Sequence, residues 1–193
     1  MLSVIIPIFN EVYLAENIIR LRNVLPKDHE IIVVDDGSFF PSPVTSSWGQ
    51  ENPLHFIRKR INEGKGAAIK TGLLYASGEH ILIIDGDLQI NPVDVYVFLA
   101  RMSLYNADAV IGNKRHLYSI VDYSFGRWVI SNTYNFLCRC LFNIQLRDTQ
   151  TGLKLFKKQA LDKIMNLSRF GGSLYLLHAG IRYAVGNVVS DCG

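Results

Sequence analysis

The regular alternation of short apolar runs with amphipathic helical patterns restricts the fold of this chain more than any other feature. Strand-like runs occur at residues 3–9, 30–34, 54–58, 80–84 and 109–112. Helical patterns occur at residues 12–25, 64–76 and 92–105. Strands that alternate with helices favour a mostly parallel sheet covered by helices on both faces. The first half therefore predicts an α/β fold, and 193 residues suit a single domain.

The second half begins with a long helical pattern at 118–143 that is rich in aromatic residues. Further helices are predicted at 157–167 and 174–183, and strand-like stretches at 153–156 and 187–189. The stretch at 39–53, which is rich in proline and serine, is predicted to form a flexible loop.

Charge and cysteine content exclude several classes of protein. A formal net charge of +3 is far below that of a nucleic-acid-binding protein, so nucleic acid is not an expected partner. The cysteines, Cys138, Cys140 and Cys192, complete neither a zinc site nor a disulfide framework, which indicates reduced thiols in a cytoplasmic protein. No secretory signal follows Met1, and no run reaches the ~18 apolar residues of a membrane-spanning helix.

Carboxylate side chains follow the ends of three predicted strands. They are Glu11, Asp35, Asp36, Asp85 and Asp87. In an open α/β sheet, ligands bind outside the carboxyl ends of the strands. Because unpaired carboxylates repel one another, a metal ion or hydrogen-bond donors are expected beside them.

Asp85 and Asp87 form the sharpest candidate site. In an extended segment, aspartates two residues apart project to the same side and reach one hard cation, which predicts a Mg²⁺ or Mn²⁺ site. Gly86 between them lets the backbone come close to a ligand. Such a metal ion helps a leaving diphosphate to depart. The alternative is an aspartate-rich turn with a structural role.

Gly64, Lys65 and Gly66 open a predicted helix, and free N–H groups beside a lysine indicate an anion site. The alternative is an ordinary loop. The P-loop spacing is absent, and so is a Gly-x-Gly-x-x-Gly after the first strand, which counts against nicotinamide and flavin dehydrogenases.

Two further candidate groups lie in the second half. Arg127, Ser131 and Asn135 fall on one face of the aromatic helix. They indicate either an acceptor groove, with Arg127 on a phosphate, or a solvated stripe on a core helix. Asp148 is a candidate general base, and a structural turn is its alternative.

Five motifs occur in a fixed order along the chain: VIIPIFNE at 4–11, VDDGS at 34–38, NEGKG at 62–66, DGDLQ at 85–89 and DTQTGLK at 148–154. Together they resemble glycosyltransferase family 2, and within it the polyprenyl-phosphate sugar synthases, such as dolichyl-phosphate mannose and glucose synthases. The likeness runs from about residue 2 to residue 160.

The resemblance implies a GT-A fold and inverting transfer of a hexose from a UDP- or GDP-sugar to a polyprenyl (dolichyl or undecaprenyl) phosphate. It places the base and ribose near Pro7, Phe9, Glu11, Val34 and Asp36. It places the diphosphate and its metal near Asp85, Gly86, Asp87 and Gln89, beside the anion site at Lys65. It further implies a donor contact at Lys114, where the family usually has arginine, and acceptor contacts at Arg127, Ser131 and Asp148.

The resemblance also implies how these parts work together. Catalysis falls to Asp87 and Asp148, and Asp148 orients the acceptor because a phosphate is already ionised at neutral pH. The donor half covers about 1–115 and the acceptor half about 116–193. The protein is expected at the cytosolic face of a membrane, bound peripherally, and either an oligomer or a membrane-anchoring partner would suit that location.

Several departures from the family keep other functions open. Phe9 replaces a tyrosine, Phe39-Phe40-Pro41 replaces a Thr-Asp-Gly-Thr-like turn, and residues 172–177 lack two expected carboxylates. The chain also ends before the basic, amphipathic or transmembrane tail of many members. The alternatives are a soluble glycan or protein acceptor, and a truncated or diverged nucleotide-binding pseudoenzyme.

Overall fold

A computed structural model of the chain describes residues 1–40, 42, 44, 48, 52–88, 91, 93–113, 153–167 and 183–187. Within these ranges one sheet contains seven strands: β1 Leu2–Ile8, β2 His29–Asp35, β3 Leu54–Arg58, β4 His80–Ile83, β5 Ala109–Asn113, β6 Lys154–Lys157 and β7 Tyr183–Asn187. The helices of the same ranges are α1 Leu14–Arg22, α2 Lys65–Tyr75, α3 Asp94–Leu104 and α4 Lys158–Leu167.

The strand order is β3-β2-β1-β4-β6-β5-β7. β3, β2, β1 and β4 pair in parallel, as do β5 and β7. β6 runs antiparallel to both of its neighbours, β4 and β5. The predicted α/β fold with a mostly parallel sheet is therefore confirmed, and β6 is a reversed strand inside it.

Helices cover both faces of the sheet, as the apolar strands require. On one face, α1 and α3 pack on a core that includes Val4 and Ile6 of β1. On the other, α2 and α4 pack on a core that includes Ile5 of β1 and Val34 of β2. The carboxyl ends of β1, β2 and β4 are left uncovered between these layers, at the edge where the carboxylates were predicted.

Some element boundaries differ from the prediction. α1 begins at Leu14, two residues later than predicted, and Val12 and Tyr13 before it are exposed. β7 spans Tyr183–Asn187, so the strand predicted at 187–189 starts earlier, and Tyr183 belongs to a strand instead of the helix predicted at 174–183, whose other residues lie outside the described ranges. Within the predicted flexible loop, Val44 is fully buried and the Trp48 carbonyl accepts a hydrogen bond from Arg22, and most of the other residues between 41 and 51 lie outside the described ranges.

The predicted aromatic helix at 118–143 lies outside the described residues, as does most of the predicted acceptor half. Among the helices that the structure does describe, none is both long enough and apolar enough to cross a membrane.

Candidate functional site

A cleft of about 250 Å³ opens at the carboxyl ends of β1, β2 and β4. It is lined by Pro7, Ile8, Phe9, Glu11, Asp36, Asn62, Gly64, Lys65, Ala68, Asp85, Gly86 and Asp87. Most of the described residues that the sequence assigned to donor binding therefore meet in one cavity.

Val34 is the exception among the described candidates. Its side chain is fully buried in the core beneath α2 and does not line the cleft. Both faces of β2 are buried, so an apolar residue of this strand faces a helix rather than a ligand. Gln89, Lys114, Arg127, Ser131 and Asp148 lie outside the described residues, and their roles stay predictions from the sequence.

The segment that carries Asp85 and Asp87 is a turn, not the extended segment that was predicted. β4 ends at Ile83, and the Leu88 N–H donates to the Asp85 carbonyl at 3.1 Å. Gly86 packs so closely on β1 that an added Cβ would lie 2.6 Å from Ile8 Cγ2. A side chain at this position would push the turn out of place, so the glycine fixes where the two aspartates stand.

α1 holds the same turn from its other side. Asn17 Nδ2 donates a 2.7 Å hydrogen bond to the Gly86 carbonyl. Asn17 is 7% exposed and shares the buried face of α1 with Leu14, Ile18 and Leu21. Sequence reasoning missed this residue, although a signal existed: an amide on an apolar helical stripe needs a buried partner.

Lys65 is the first residue of α2, and Gly64 before it has a φ of +93°, which favours glycine. The Gly64 carbonyl accepts the N–H groups of Ala67 and Ala68. Lys65 Nζ donates to Asp85 Oδ1 on the far side of the cleft. The predicted helix start is confirmed, and its use as an anion site stays a prediction.

Asp36 organises the loop that leads into α2. One oxygen accepts from Lys59 Nζ at 2.7 Å and from the Glu63 N–H at 3.1 Å, and the other accepts from the Gly64 N–H at 2.6 Å. Burial acts to raise the pKa of Asp36, but these hydrogen bonds outweigh it and hold the pKa below its usual value. Asp36 is thus a fixed anion that sets the position of Gly64 and Lys65.

The remaining carboxylates have donor groups as well. Asp35 Oδ1 accepts from the Ser38 N–H at 2.9 Å. Its Oδ2 lies 3.5 Å from Arg58 Nε, in an orientation too poor for a hydrogen bond. Glu11 accepts from the Tyr13 N–H at 3.1 Å. The expectation that donors accompany the clustered carboxylates is met.

The ends of β1 and β2 are linked beside the cleft. The Asn10 N–H donates to Ser38 Oγ at 2.7 Å, and the Phe39 N–H donates to Asn10 Oδ1 at 2.9 Å. The rings of Phe9 and Phe39 meet edge-on, with centroids 5.8 Å apart and planes inclined by 60°. Phe9 lines the cleft and Phe39 stands outside it.

The residues present suit a divalent cation that is shared with a ligand. Asp85 and Asp87 offer carboxylate oxygens, which Mg²⁺ and Mn²⁺ prefer, and Asp85 already accepts a cationic partner in Lys65. Within the described ranges, no group of three or more His, Cys, Asp or Glu residues is placed to hold a metal ion. Beside phosphates, Mg²⁺ usually completes its shell with oxygens of water and of the phosphate, and two carboxylates leave room for such ligands.

Known proteins match this chain over most of its length. The family model described as "Glycosyl transferase family 2" matches residues 3–165. The chain is 26% identical over 199 residues to the dolichyl-phosphate beta-glucosyltransferase of Dictyostelium discoideum, and this match covers 92% of the chain and 61% of that protein. It is 28% identical over 170 residues to the dodecaprenyl-phosphate galacturonate synthase of Rhizobium johnstonii, with coverages of 84% and 49%. The chain thus spans less than two thirds of either relative.

Solved structures confirm the predicted GT-A fold. Glucosyl-3-phosphoglycerate synthase from Mycobacterium tuberculosis, in complex with UDP, matches with a TM-score of 0.70 at 18% identity, covering 100% of this chain and 72% of that one. Mannosyltransferase PcManGT from Pyrobaculum calidifontis, in complex with GDP-Man and Mn²⁺, matches with a TM-score of 0.65 at 19% identity, with coverages of 100% and 57%. At these identities the likeness concerns the fold alone.

Proposed function

Because this chain belongs to glycosyl transferase family 2, we propose that it binds a UDP- or GDP-sugar in the cleft and transfers the hexose to a polyprenyl phosphate. The observation that carries the proposal is the meeting of Lys65, at the start of α2, with the turn of Asp85 and Asp87. The relatives named for dolichyl-phosphate and dodecaprenyl-phosphate substrates support the acceptor class.

The diphosphate of the donor belongs between Lys65 and the aspartate turn. The N–H groups and dipole of the helix start favour an anion, and the Lys65 ammonium adds a full positive charge. The two aspartates would hold a Mg²⁺ or Mn²⁺ ion, which supplies Lewis-acid stabilisation of the departing diphosphate. The positive groups offset the aspartates, so the cleft accepts a metal-bound diphosphate better than either partner alone.

The nucleoside belongs at the other end of the cleft, beside Pro7, Phe9 and Glu11. Phe9 presents a flat ring that lines the cavity and is 45% exposed, which suits stacking of a base. Asp36 is held in place by Lys59 and backbone N–H groups. Its role for the donor is therefore to fix the wall between nucleoside and diphosphate.

In the transfer step a phosphate oxygen of the acceptor attacks C1 of the sugar, and the bond from C1 to the nucleoside diphosphate breaks. Attack from the opposite side inverts the configuration. Arg127 and Ser131 would bind the acceptor phosphate and Asp148 would orient it, as the sequence predicts, while Gln89 and Lys114 add donor contacts. Such an acceptor lies in a bilayer, which suits peripheral association with the cytosolic face of a membrane.

The test begins with the unmodified full chain. UDP and GDP are titrated with and without Mn²⁺, and transfer is then measured from UDP- and GDP-hexoses to a short polyprenyl phosphate. The proposal expects Mn²⁺-dependent binding of one nucleotide and a lipid-phosphate-linked sugar as the product. Binding without transfer to any acceptor would favour a pseudoenzyme, and transfer only to a soluble glycan would replace the acceptor. No nucleotide binding would refute the proposal.

A further inference from the structure

Phe9, which lines the cleft, and Phe39, which stands outside it, form an aromatic pair that is largely exposed to solvent. Phe39 is 78% exposed, and Phe9, which it meets edge-on, is 45% exposed. Exposed apolar rings are costly in water, and covering them is favourable. Phe39 follows β2 where the family resemblance leads one to expect a polar turn.

The loop that carries Phe39 is held firmly in spite of this exposure. Its own N–H donates to Asn10 Oδ1, and Ser38 Oγ accepts from the Asn10 N–H. The preceding Gly37 has a φ of +77°, and an added Cβ would lie 2.7 Å from the backbone carbon of Ile61. The loop is therefore fixed between the loops that follow β1 and β3, and Phe39 is presented in a defined position.

We propose that Phe39 is a positioning residue for the nucleobase of the donor. By packing against Phe9, it fixes the orientation of that ring for stacking and extends the apolar surface of Phe9 beyond the cleft. This inference rests on the proposed function, since it deepens the donor site rather than adding a second one. A base is a flat, partly apolar π system, and aromatic side chains stack on every base.

The position of the pair favours a base over another occupant. Phe9 lines the same cleft as Lys65, Asp85 and Asp87, so a ligand with a diphosphate at one end brings its other end to the aromatic pair. Stacking that depends on a fixed ring needs rigid support, which the two hydrogen bonds between Asn10, Ser38 and Phe39 supply.

The experiment compares Phe39→Ala with two other variants of the full chain. Phe40→Ala is the matched control, because Phe40 is adjacent and 79% exposed, and the structure gives it no ring contact among the described residues. Phe39→Tyr keeps an aromatic ring. UDP, GDP and inorganic pyrophosphate are titrated into each variant with Mn²⁺.

Phe39→Ala is expected to weaken binding of the preferred nucleotide by about three- to tenfold, the usual worth of an aromatic contact. Pyrophosphate, which has no base, should bind as before. Phe40→Ala should leave nucleotide affinity unchanged, and Phe39→Tyr should restore it. In transfer assays the KM for the donor should rise while kcat stays constant.

Equal nucleotide affinity in Phe39→Ala and the unmodified chain would overturn the inference and leave the proposed function standing. Equal losses for nucleotide and pyrophosphate would overturn it too, because Phe39 would then support the whole site. Binding of each variant to phosphatidylglycerol vesicles is measured as well. If Phe39→Ala and Phe40→Ala keep nucleotide affinity but both lose vesicle binding, Phe39 and Phe40 contact lipid and the inference is overturned. If the unmodified chain binds no nucleotide, the proposed function fails first.

Discussion

Lys65 Nζ and Asp85 Oδ1 form a hydrogen-bonded salt bridge across the cleft, which pairs the first residue of α2 with the first aspartate of the turn after β4. The side chains are 48% and 34% exposed, so water screens the pair and each partner can exchange it for another. A diphosphate competes for Lys65 and a divalent cation competes for Asp85. The two ligands should therefore assist one another. When the diphosphate takes Lys65, the cation compensates the negative charge of Asp85, and when the cation takes Asp85, the diphosphate compensates the positive charge of Lys65.

Replacing Lys65 by glutamine should affect the two ligands in opposite directions. Without the ammonium, nucleotide diphosphate should bind about tenfold more weakly, since a hydrogen bond to a charged group contributes roughly 1.5 kcal/mol or more. Asp85 loses its competitor, so Mn²⁺ alone should bind up to about fivefold more tightly, the upper worth of an exposed ion pair. Calorimetric titrations of each ligand measure both effects.

Lys70→Gln is the control for this variant, because Lys70 is an exposed lysine of the same helix. It changes the net charge equally and should leave both affinities in place. A parallel loss of Mn²⁺ and nucleotide binding in Lys65→Gln would show that Lys65 supports the turn and does not compete with the metal.

Replacing Asp87 by alanine should remove the Mn²⁺ dependence of nucleotide binding while the fold persists. Asp87 is exposed at the cleft, and substitutions of exposed residues usually change stability by no more than about 0.5 kcal/mol. Nucleotide titrations with and without Mn²⁺, together with thermal melting, test both parts. Glu79→Ala, an exposed carboxylate before β4, should retain the Mn²⁺ effect. A full Mn²⁺ effect in Asp87→Ala would refute the metal assignment.

Asn17→Leu should impair the cleft from a residue that lies outside it. The change leaves the buried Gly86 carbonyl without its amide donor, at a cost of about 1–3 kcal/mol, and lets the aspartate turn shift. Mn²⁺-dependent nucleotide affinity should fall by about tenfold if most of that energy positions the turn.

Ile18→Val is the matched variant, since Ile18 is fully buried on the same helix. It should destabilise by about 0.5–1.5 kcal/mol without a loss of affinity. Urea unfolding and nucleotide titration of both variants separate the roles. If affinity follows stability equally in the two, Asn17 acts through packing alone.

Asp36→Asn should destabilise the protein in a pH-dependent way. The folded pKa of Asp36 is lowered, since bonds from Lys59, Glu63 and Gly64 outweigh burial. A lowered folded pKa stabilises above the unfolded pKa of about 4, and this contribution disappears as the pH falls through the folded pKa. The difference from the unmodified chain should be about 1–3 kcal/mol at neutral pH and should shrink below about pH 4.

Glu63→Gln provides the comparison, because Glu63 binds the same Lys59 but is 53% exposed. It should cost no more than about 1 kcal/mol. The free energy of unfolding in urea, measured at several pH values, gives both differences. A difference for Asp36→Asn that is constant from neutral to acidic pH would contradict the assigned role.

Arg127→Ala tests the acceptor assignment that rests on the sequence. Loss of a charge-assisted bond to the acceptor phosphate, roughly 1.5–3 kcal/mol, should lower transfer to a polyprenyl phosphate by about ten- to a hundredfold. Donor affinity should stay constant if the donor binds, as proposed, at the carboxyl ends of β1, β2 and β4. Equal losses of both would assign Arg127 to the structure or the donor, and unchanged transfer would make it a surface residue.

Local patterns predicted the first half of the chain well where apolar periodicity is strong. β3 was predicted at 54–58 and is found there, and α2 differs from its prediction by one residue at each end. These elements follow from the spacing of side chains that one face of the sheet buries. The carboxylate edge followed from the same reasoning, because parallel strands end together.

What the sequence did not reveal depends on contacts between distant segments. Val34 was assigned to the base and ribose by the family resemblance, yet its side chain is fully buried, and the sequence of a strand buried on both faces does not show which neighbour each side chain meets. The turn at Asp85 depends on Ile8 and Asn17, far away in the chain. The reversal of β6 was not predicted either, because a short apolar run carries no direction.

The reversal of β6 has a consequence for how this protein can change over time. β5 leaves the sheet at Asn113 and β6 enters it at Lys154, where Lys154 aligns with both Ile111 and Ile83. The Gly112 N–H donates to the Leu153 carbonyl at 3.1 Å, which links the end of β5 to the residue before β6. The end of β5 and the start of β6 therefore lie side by side, next to the end of β4. Because these two ends are adjacent, the length or composition of the segment between them can change while the strands that carry the cleft keep their pairing.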